Sequence, residues 1–220
     1  VKLQMADTGF FEVIKANGCV LLRESRVLHL KLDGVNNGRH LDMEDKRFYS
    51  HNGIDFIGLA RAIIIDICTL SKKQGASTLT QQLIKNNVLT ADKKIDRKIR
   101  EMYLATVLES KLRQKYDKQT AKDTILELYL NTVGFGKGCY GVQAAAERYF
   151  GKDISELTLD ECTVLGAIIQ SPTHLEPVNN PEENNARRKI ILKYMLDNKD
   201  ITKEEYEASI AANPYIGVSE

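Results

Sequence analysis

The pattern of apolar and polar positions along the 220-residue chain changes character near residue 44. Upstream, "FFEVIKANGCVLL" (10–22) reads as two short strands about Asn17–Gly18, a turn pair that predicts a β-hairpin. Residues 23–43, with "DGVNNGRH", carry no clear period. Downstream the period is helical. It predicts helices over 41–51, 55–70, 78–90, 94–114, 120–131, 141–150, 158–170, 181–197 and 202–212. Start signals support several of these. Asp55 can cap the second, and Thr78 with Gln81, Thr158 with Glu161 and Thr202 with Glu205 fit capping boxes. Asn180–Pro181 puts proline at a first helical position. Stops fall at Asn52–Gly53, Ser171–Pro172 and Asn213–Pro214. No repeat or strong linker interrupts the chain, so a mainly α, single domain over 1–220 is expected.

Composition changes this picture little. Hydrophobic residues make up 43% and charged residues 28%, ordinary for a folded domain, and a net charge of +1 supplies no global field for nucleic acid. The charge is uneven. Residues 85–118 hold ten Lys/Arg against five Asp/Glu, an excess of five positive charges. Cys19, Cys68, Cys139 and Cys162 lack metal-site spacing and read as small buried hydrophobes, able to pair if the compartment is oxidising. The longest apolar run, "FIGLARAIIIDICTL" (56–70), contains Arg61 and Asp66. It is shorter than the ~20 residues a membrane span requires. No secretory leader is read, and a chain separated from an upstream anchor would look the same.

Four stretches carry candidate chemistry. In "EDKRFYSHNGID" (44–55), Glu44, Phe48 and His51 align on one helix face, with Asp45 and Arg47 pointing elsewhere. Phe48 can anchor the helix while Glu44 lies beside apolar surface, which suits a general acid or base. A helix start favouring acids is the plainer account, and His51 reads as structural. In "GASTLTQQLIKN" (75–86), Leu79 and Leu83 can face a core. Thr78, Gln81, Gln82 and Lys85 form one polar stripe without a carboxylate, suited to a polyol plus an anion or, more simply, to solvent. In "RKIREMYLATVLE" (97–109), Arg97 and Glu101 form an i, i+4 pair flanked by Lys98 and Arg100, with Met102, Ala105 and Leu108 facing inward. An exposed pair of this kind contributes only ~0.3–0.5 kcal/mol, but an anionic ligand would relieve the crowding of three cations. "GKGCYG" (136–141) matches GxGxxG, yet a helical pattern precedes it where a dinucleotide site needs a strand. Its glycines are expected to make a tight turn between helices, with the alanines of "GVQAAAERYF" allowing close packing. No SxxK, HExxH, GxxxxGK[ST] or GxSxG is present.

The ordered series "EDKRFYSHNGID", "GASTLTQQLIKN", "RKIREMYLATVLE", "ILELYLNTVGFGKGCYGVQAAAERYFGK" and "LTLDECTVLGAIIQSP" resembles the peptidoglycan glycosyltransferases of family 51 from about 43 to about 210. These are the polymerase domains of class A penicillin-binding proteins and the monofunctional transglycosylases. The resemblance implies a lysozyme-like fold, with a large helical lobe, a small membrane-facing jaw at about 55–75 and a divergent segment over about 1–43. It implies polymerisation of lipid II into β-1,4 glycan strands with inversion and release of undecaprenyl pyrophosphate, on the outer face of the bacterial cytoplasmic membrane. It makes Glu44 the catalytic base and Glu101 the second essential glutamate. Ser77, Thr78, Gln81, Gln82, Lys85, Lys93, Arg97, Lys98 and Arg100 become substrate-binding residues. It leaves room for Mg2+ or Mn2+, with Glu101 the one candidate ligand. The implied partners are lipid II, the growing glycan, the membrane surface and a transpeptidase domain or other cell-wall synthesis proteins.

The chain departs from the family in three places. Ala76 stands where a second glycine is usual, and Lys93, beside Lys94, occupies the place of a further cation. "NNGRHLDMED" replaces the apolar helix that normally enters the first motif. Two rivals remain on the same motifs. One is a peptidoglycan-cleaving hydrolase using paired carboxyl groups, which three cations do not suit. The other is an inactive lipid II-binding module.

Overall fold

The computed structural model describes residues 45, 47–69, 77–88, 94–216 and 218. The hairpin expected at 10–22, Cys19, Glu44, Lys93 and the end of the apolar run beyond Thr69 lie outside them. The described residues are mainly helical, with no β-strand beyond isolated bridges at Asn52–Ile54 and Gly134–Tyr140. They form two compact units, one reaching to Tyr129 and one running from Leu130 onward.

The first unit opens with consecutive turns rather than the regular helix expected to residue 51. Phe48 N–H donates to Asp45 O at 3.0 Å and His51 N–H to Arg47 O at 3.2 Å. The chain reverses at Gly53, where φ is +84° and an added Cβ would lie 2.8 Å from the backbone of Ala105. Only glycine permits both that torsion and that approach. Helix α1 (Phe56–Thr69) starts where Asp55 Oδ1 accepts from Ile57 N at 3.1 Å and Gly58 N at 3.0 Å. It exposes Phe56, Ile57 and Ile64. Helix α2 (Leu79–Val88) packs on α3 (Lys94–Lys115), burying Leu79, Leu83 and Ile84 on one and Ala105, Leu108 and Leu112 on the other. Helix α4 (Lys118–Thr132) begins two residues before its expected start, because Asp117 Oδ1 accepts from Gln119 N and Thr120 N. It buries Ala121, Ile125, Leu126 and Tyr129.

In the second unit the glycines of 136–141 do serve a turn. Phe135 N–H bonds Cys139 O and Gly141 N–H bonds Val133 O. Gly136, at φ +82°, comes so close to Pro172 O that a Cβ would sit 2.5 Å away. A helix precedes this turn and α5 (Val142–Phe150) follows, so the dinucleotide reading fails. Ala145 and Ala146 of α5 are fully buried. A short 3-10 turn at Ile154–Glu156, capped by Asp153, went unread in the sequence. Helices α6 (Leu159–Gln170) and α8 (Lys203–Ala211) start at the expected capping boxes, and α7 (Pro181–Asp197) at the expected proline. Ala167, Ile191, Leu192, Met195 and Ile201 form the core between them. Arg188 is wholly buried beneath, paired with Asp160 at 2.6 Å and donating to Ser209 O. Cys139 and Cys162 are both buried.

Candidate active site

The first motif and α2 meet at the start of that helix. Thr78 and Gln81 close the expected capping box: Thr78 N–H donates to Gln81 Oε1 at 3.1 Å, and Gln81 N–H to Thr78 Oγ1 at 3.2 Å. The Thr78 hydroxyl donates onward to Gly53 O at 2.7 Å. A further donor of the helix start, Leu79 N–H, is met by Asp45 Oδ2 at 3.1 Å. Both oxygens of that carboxylate also contact His51 Nε2, at 3.0 and 2.9 Å. Asp45 and His51 are buried. This corrects the expectation that Asp45 points away from the site. The positive end of α2 already holds an intrinsic anion, and cationic side chains lie close by.

Those side chains come from α3. Glu101 is 3% exposed despite its charge. Its Oε2 accepts from Lys98 Nζ at 2.9 Å, and Arg97 Nε lies 3.6 Å from its Oε1. Lys98 Nζ also reaches Ser77 Oγ at 2.7 Å and Gln81 Oε1 at 3.4 Å. An ammonium has three donors, and three acceptors surround this one, yet its side chain remains 40% exposed. The longest of these contacts is the one to Gln81. With two cations at its oxygens, Glu101 does not fit a divalent metal ion as well, and no group of three His, Cys, Asp or Glu among the described residues is arranged to hold one.

The site thus joins Ser77, Thr78, Gln81, Arg97, Lys98 and Glu101. Thr78 and Gln81 are each 2% exposed, which rules out a solvated face for them. Gln82 accepts from the Tyr129 hydroxyl at 3.1 Å, Lys85 is exposed in the last turn of α2, and Arg100 is exposed on α3. Glu44 and Lys93 fall outside the described residues.

Sequence reasoning missed the layer beneath. Glu109 Oε1 accepts from Thr80 Oγ1 at 2.6 Å and Lys122 Nζ at 2.8 Å. Lys122 Nζ also sits 4.5 Å from the centre of the Phe48 ring, the anchor the sequence did point to. Burial pushes the Lys122 ammonium below its ordinary pKa, and the nearby Glu109 and Asp45 charges oppose that. The sole sequence signal was a lysine and a glutamate at positions a helix turns inward.

The described residues thus hold a buried carboxylate that gathers two cations beside a capped helix start. Comparison with known proteins narrows the class. A family profile described as Transglycosylase matches residues 37–196. Penicillin-binding protein 1A of Haemophilus influenzae is 44% identical over 170 residues, 77% of this chain and 19% of the relative. Penicillin-binding protein 1F of Bacillus subtilis is 44% identical over 163 residues, 74% of this chain and 22% of the relative. A crystal structure of the Haemophilus influenzae protein aligns at 31% identity and a TM-score of 0.43, over 64% of this chain and 16% of that one. The chain belongs to the transglycosylase family of peptidoglycan glycosyltransferases. It spans about a fifth of the length of the curated relatives it matches.

Proposed function

We propose that this chain polymerises lipid II into β-1,4-linked glycan with inversion, releasing undecaprenyl pyrophosphate. The observation that carries the reading is the buried Glu101 holding Lys98 and Arg97 beside Ser77. Cations fixed in advance stabilise charge as it develops on a pyrophosphate leaving group, and they do so without reorganising during the reaction. Glu44 serves as the base. It takes the proton from the 4-hydroxyl of the acceptor sugar, whose oxygen attacks C1 of the donor sugar. Lys98 and Arg97, with Lys85, Arg100 and Lys93, meet the departing charge. Ser77, Thr78, Gln81 and Gln82 frame the sugar-diphosphate end. Glu101 orients its two cations.

The lysozyme-like arrangement of a large lobe and a membrane-facing jaw belongs to the same proposal. Phe56, Ile57 and Ile64, 55–68% exposed on α1, suit contact with a bilayer. No helix among the described residues is long and apolar enough to cross one. The setting proposed is the outer face of the bacterial cytoplasmic membrane, within a longer penicillin-binding protein bearing a transpeptidase domain.

Lipid II turnover by the parent and by Glu44→Gln tests the reading. Glycan polymer from the parent and none from the variant is expected. Equal rates would remove Glu44 as base. Sugar fragments released from purified sacculi without lipid II turnover would favour a hydrolase, and tight lipid II binding without polymer an inactive module.

A further inference from the structure

We infer that the free face of α1 is an interfacial contact selective for anionic phospholipid, with Arg61 reading the headgroup charge. The inference rests on the membrane-facing reading proposed above and adds the class of lipid the face takes. Phe56, Ile57, Ala60, Arg61 and Ile64 are all exposed, while Ala62 is buried. At about 100° and 1.5 Å per residue, the five exposed positions form one stripe about 12 Å long, opposite Ala62. Around the helix the order is Phe56, Ala60, Ile64, Ile57, Arg61. The arginine therefore stands at the edge of an apolar strip, one turn from both isoleucines. Single exposed apolar side chains are ordinary, but three large ones on one face of a 14-residue helix mark a contact surface.

The edge of the strip selects the partner. A protein interface carries hydrogen-bonding side chains around its apolar centre. This stripe holds a single polar residue, and that residue is a cation. No acid lies in the first turn of α1. Asp55, just before it, is committed elsewhere: its Oδ1 accepts from Ile57 N and Gly58 N and lies 3.5 Å from Arg47 Nε. Asp66, the other charged residue of the helix, is five positions beyond Arg61, about 140° around the axis. Among the described residues Arg61 makes no ion pair. An arginine in this setting lays its stem along the isoleucines and leaves its guanidinium at headgroup level. There its planar fork matches a phosphate through two parallel hydrogen bonds. A zwitterionic headgroup balances its phosphate with its own cation, whereas an anionic one leaves that charge to the protein. The negative potential of an anionic surface adds to the same preference.

The experiment is flotation of the whole chain with two kinds of vesicle, phosphatidylcholine alone and phosphatidylcholine with about 30% phosphatidylglycerol, at ~0.1 M salt. The parent should partition onto the anionic vesicles at least about five-fold more strongly, the effect of one guanidinium near the surface. Arg61→Gln should lose about five-fold on the anionic vesicles and less than about two-fold on the neutral ones. Arg61→Lys keeps the charge and should stay within about two-fold of the parent. Ile57→Gln and Ile64→Gln should each weaken binding to both kinds by about ten-fold, since they remove apolar contact rather than charge. Lys203→Gln, which removes an exposed charge on α8, should leave the preference intact. Millimolar inorganic pyrophosphate at matched ionic strength should not displace the chain from the anionic vesicles. Equal partitioning of the parent onto both vesicles, or an Arg61→Gln that keeps the preference, overturns the inference. So does a Lys203→Gln that loses the preference as fully, or displacement by pyrophosphate, which would make Arg61 a site for soluble phosphate. A parent that binds neither vesicle overturns it as well and hands the stripe to a protein partner. Polymerisation of lipid II in detergent is read separately: a parent that makes no polymer overturns the functional reading, while the vesicle preference alone decides the role of Arg61.

Discussion

Lys122→Met is the most exposing perturbation of the frame under the site. The side chains of Lys122 and Glu109 are 2% and 1% exposed, 2.8 Å apart, with Thr80 as the carboxylate's other donor. Glu109 Oε2 has no hydrogen-bond partner among the described residues. Replacing the ammonium with a methyl thioether of similar length leaves a buried carboxylate facing one hydroxyl. Breaking a buried pair from one side costs about 3–5 kcal/mol, since the remaining charge keeps its full desolvation penalty. Loss of the contact over Phe48 adds about 0.5–2 kcal/mol. Against a total stability of about 5–15 kcal/mol, this is a large fraction. Together the two losses correspond to a fall in Tm of about 7–28 °C for a chain of this size. The companion variant Glu109→Gln/Lys122→Met removes both charges and keeps an acceptor for Thr80. It should be more stable than Lys122→Met alone by about 2 kcal/mol or more, because no unpaired charge remains buried. Denaturant titration of the parent, both single variants and the double variant gives the cycle. A single variant that loses less than about 1 kcal/mol, or a double variant whose loss equals the sum of the singles, would refute the reasoning.

Three further predictions concern neighbouring features. Gly53→Ala should cost about 2–5 kcal/mol in a denaturant titration, from a positive φ plus a clash with the Ala105 backbone; a loss under about 1 kcal/mol would show that the turn can move. Lys98→Met and Glu101→Gln should each lower kcat for lipid II by about 10²–10³-fold, and should do so non-additively because Glu101 acts by holding Lys98; additive losses in the double variant would separate the two. Burial alone would raise the Glu161 carboxyl, but the Lys152 ammonium and Thr158 N–H outweigh it and hold its pKa below the ordinary 4.5. The unfolded chain therefore takes the proton first, and stability that is full above 4.5 drains as pH falls through the folded value. Glu161→Gln should flatten that acid limb in melts taken across the range, and an unchanged limb would contradict it.

The parts of the fold that the sequence announced are those controlled by neighbours in the chain. The capping boxes at Thr78, Thr158 and Thr202 link residues three apart, so they are visible as spacing. The same holds for the proline that opens α7 and the glycines that turn the chain before α5. Helix ends moved mainly where an unweighed cap such as Asp117 intervened. The grouping of Arg97, Lys98 and Glu101 was likewise local to one helix.

The tertiary structure decided which polar groups turn inward, and that depends on partners far along the chain. Asp45 meets Leu79, 34 residues away, and Thr80 meets Glu109 across 29. Arg188 meets Asp160 across 28. Spacing marks a helix face but does not say whether that face meets water or a matching donor. A charge can be buried only where folding delivers its counterpart. The stripe on α2 shows the difference: its period was legible, yet Thr78 turns inward because Gly53 of the first motif comes back to receive it, and Gln81 because Thr78 and Lys98 of α3 meet it.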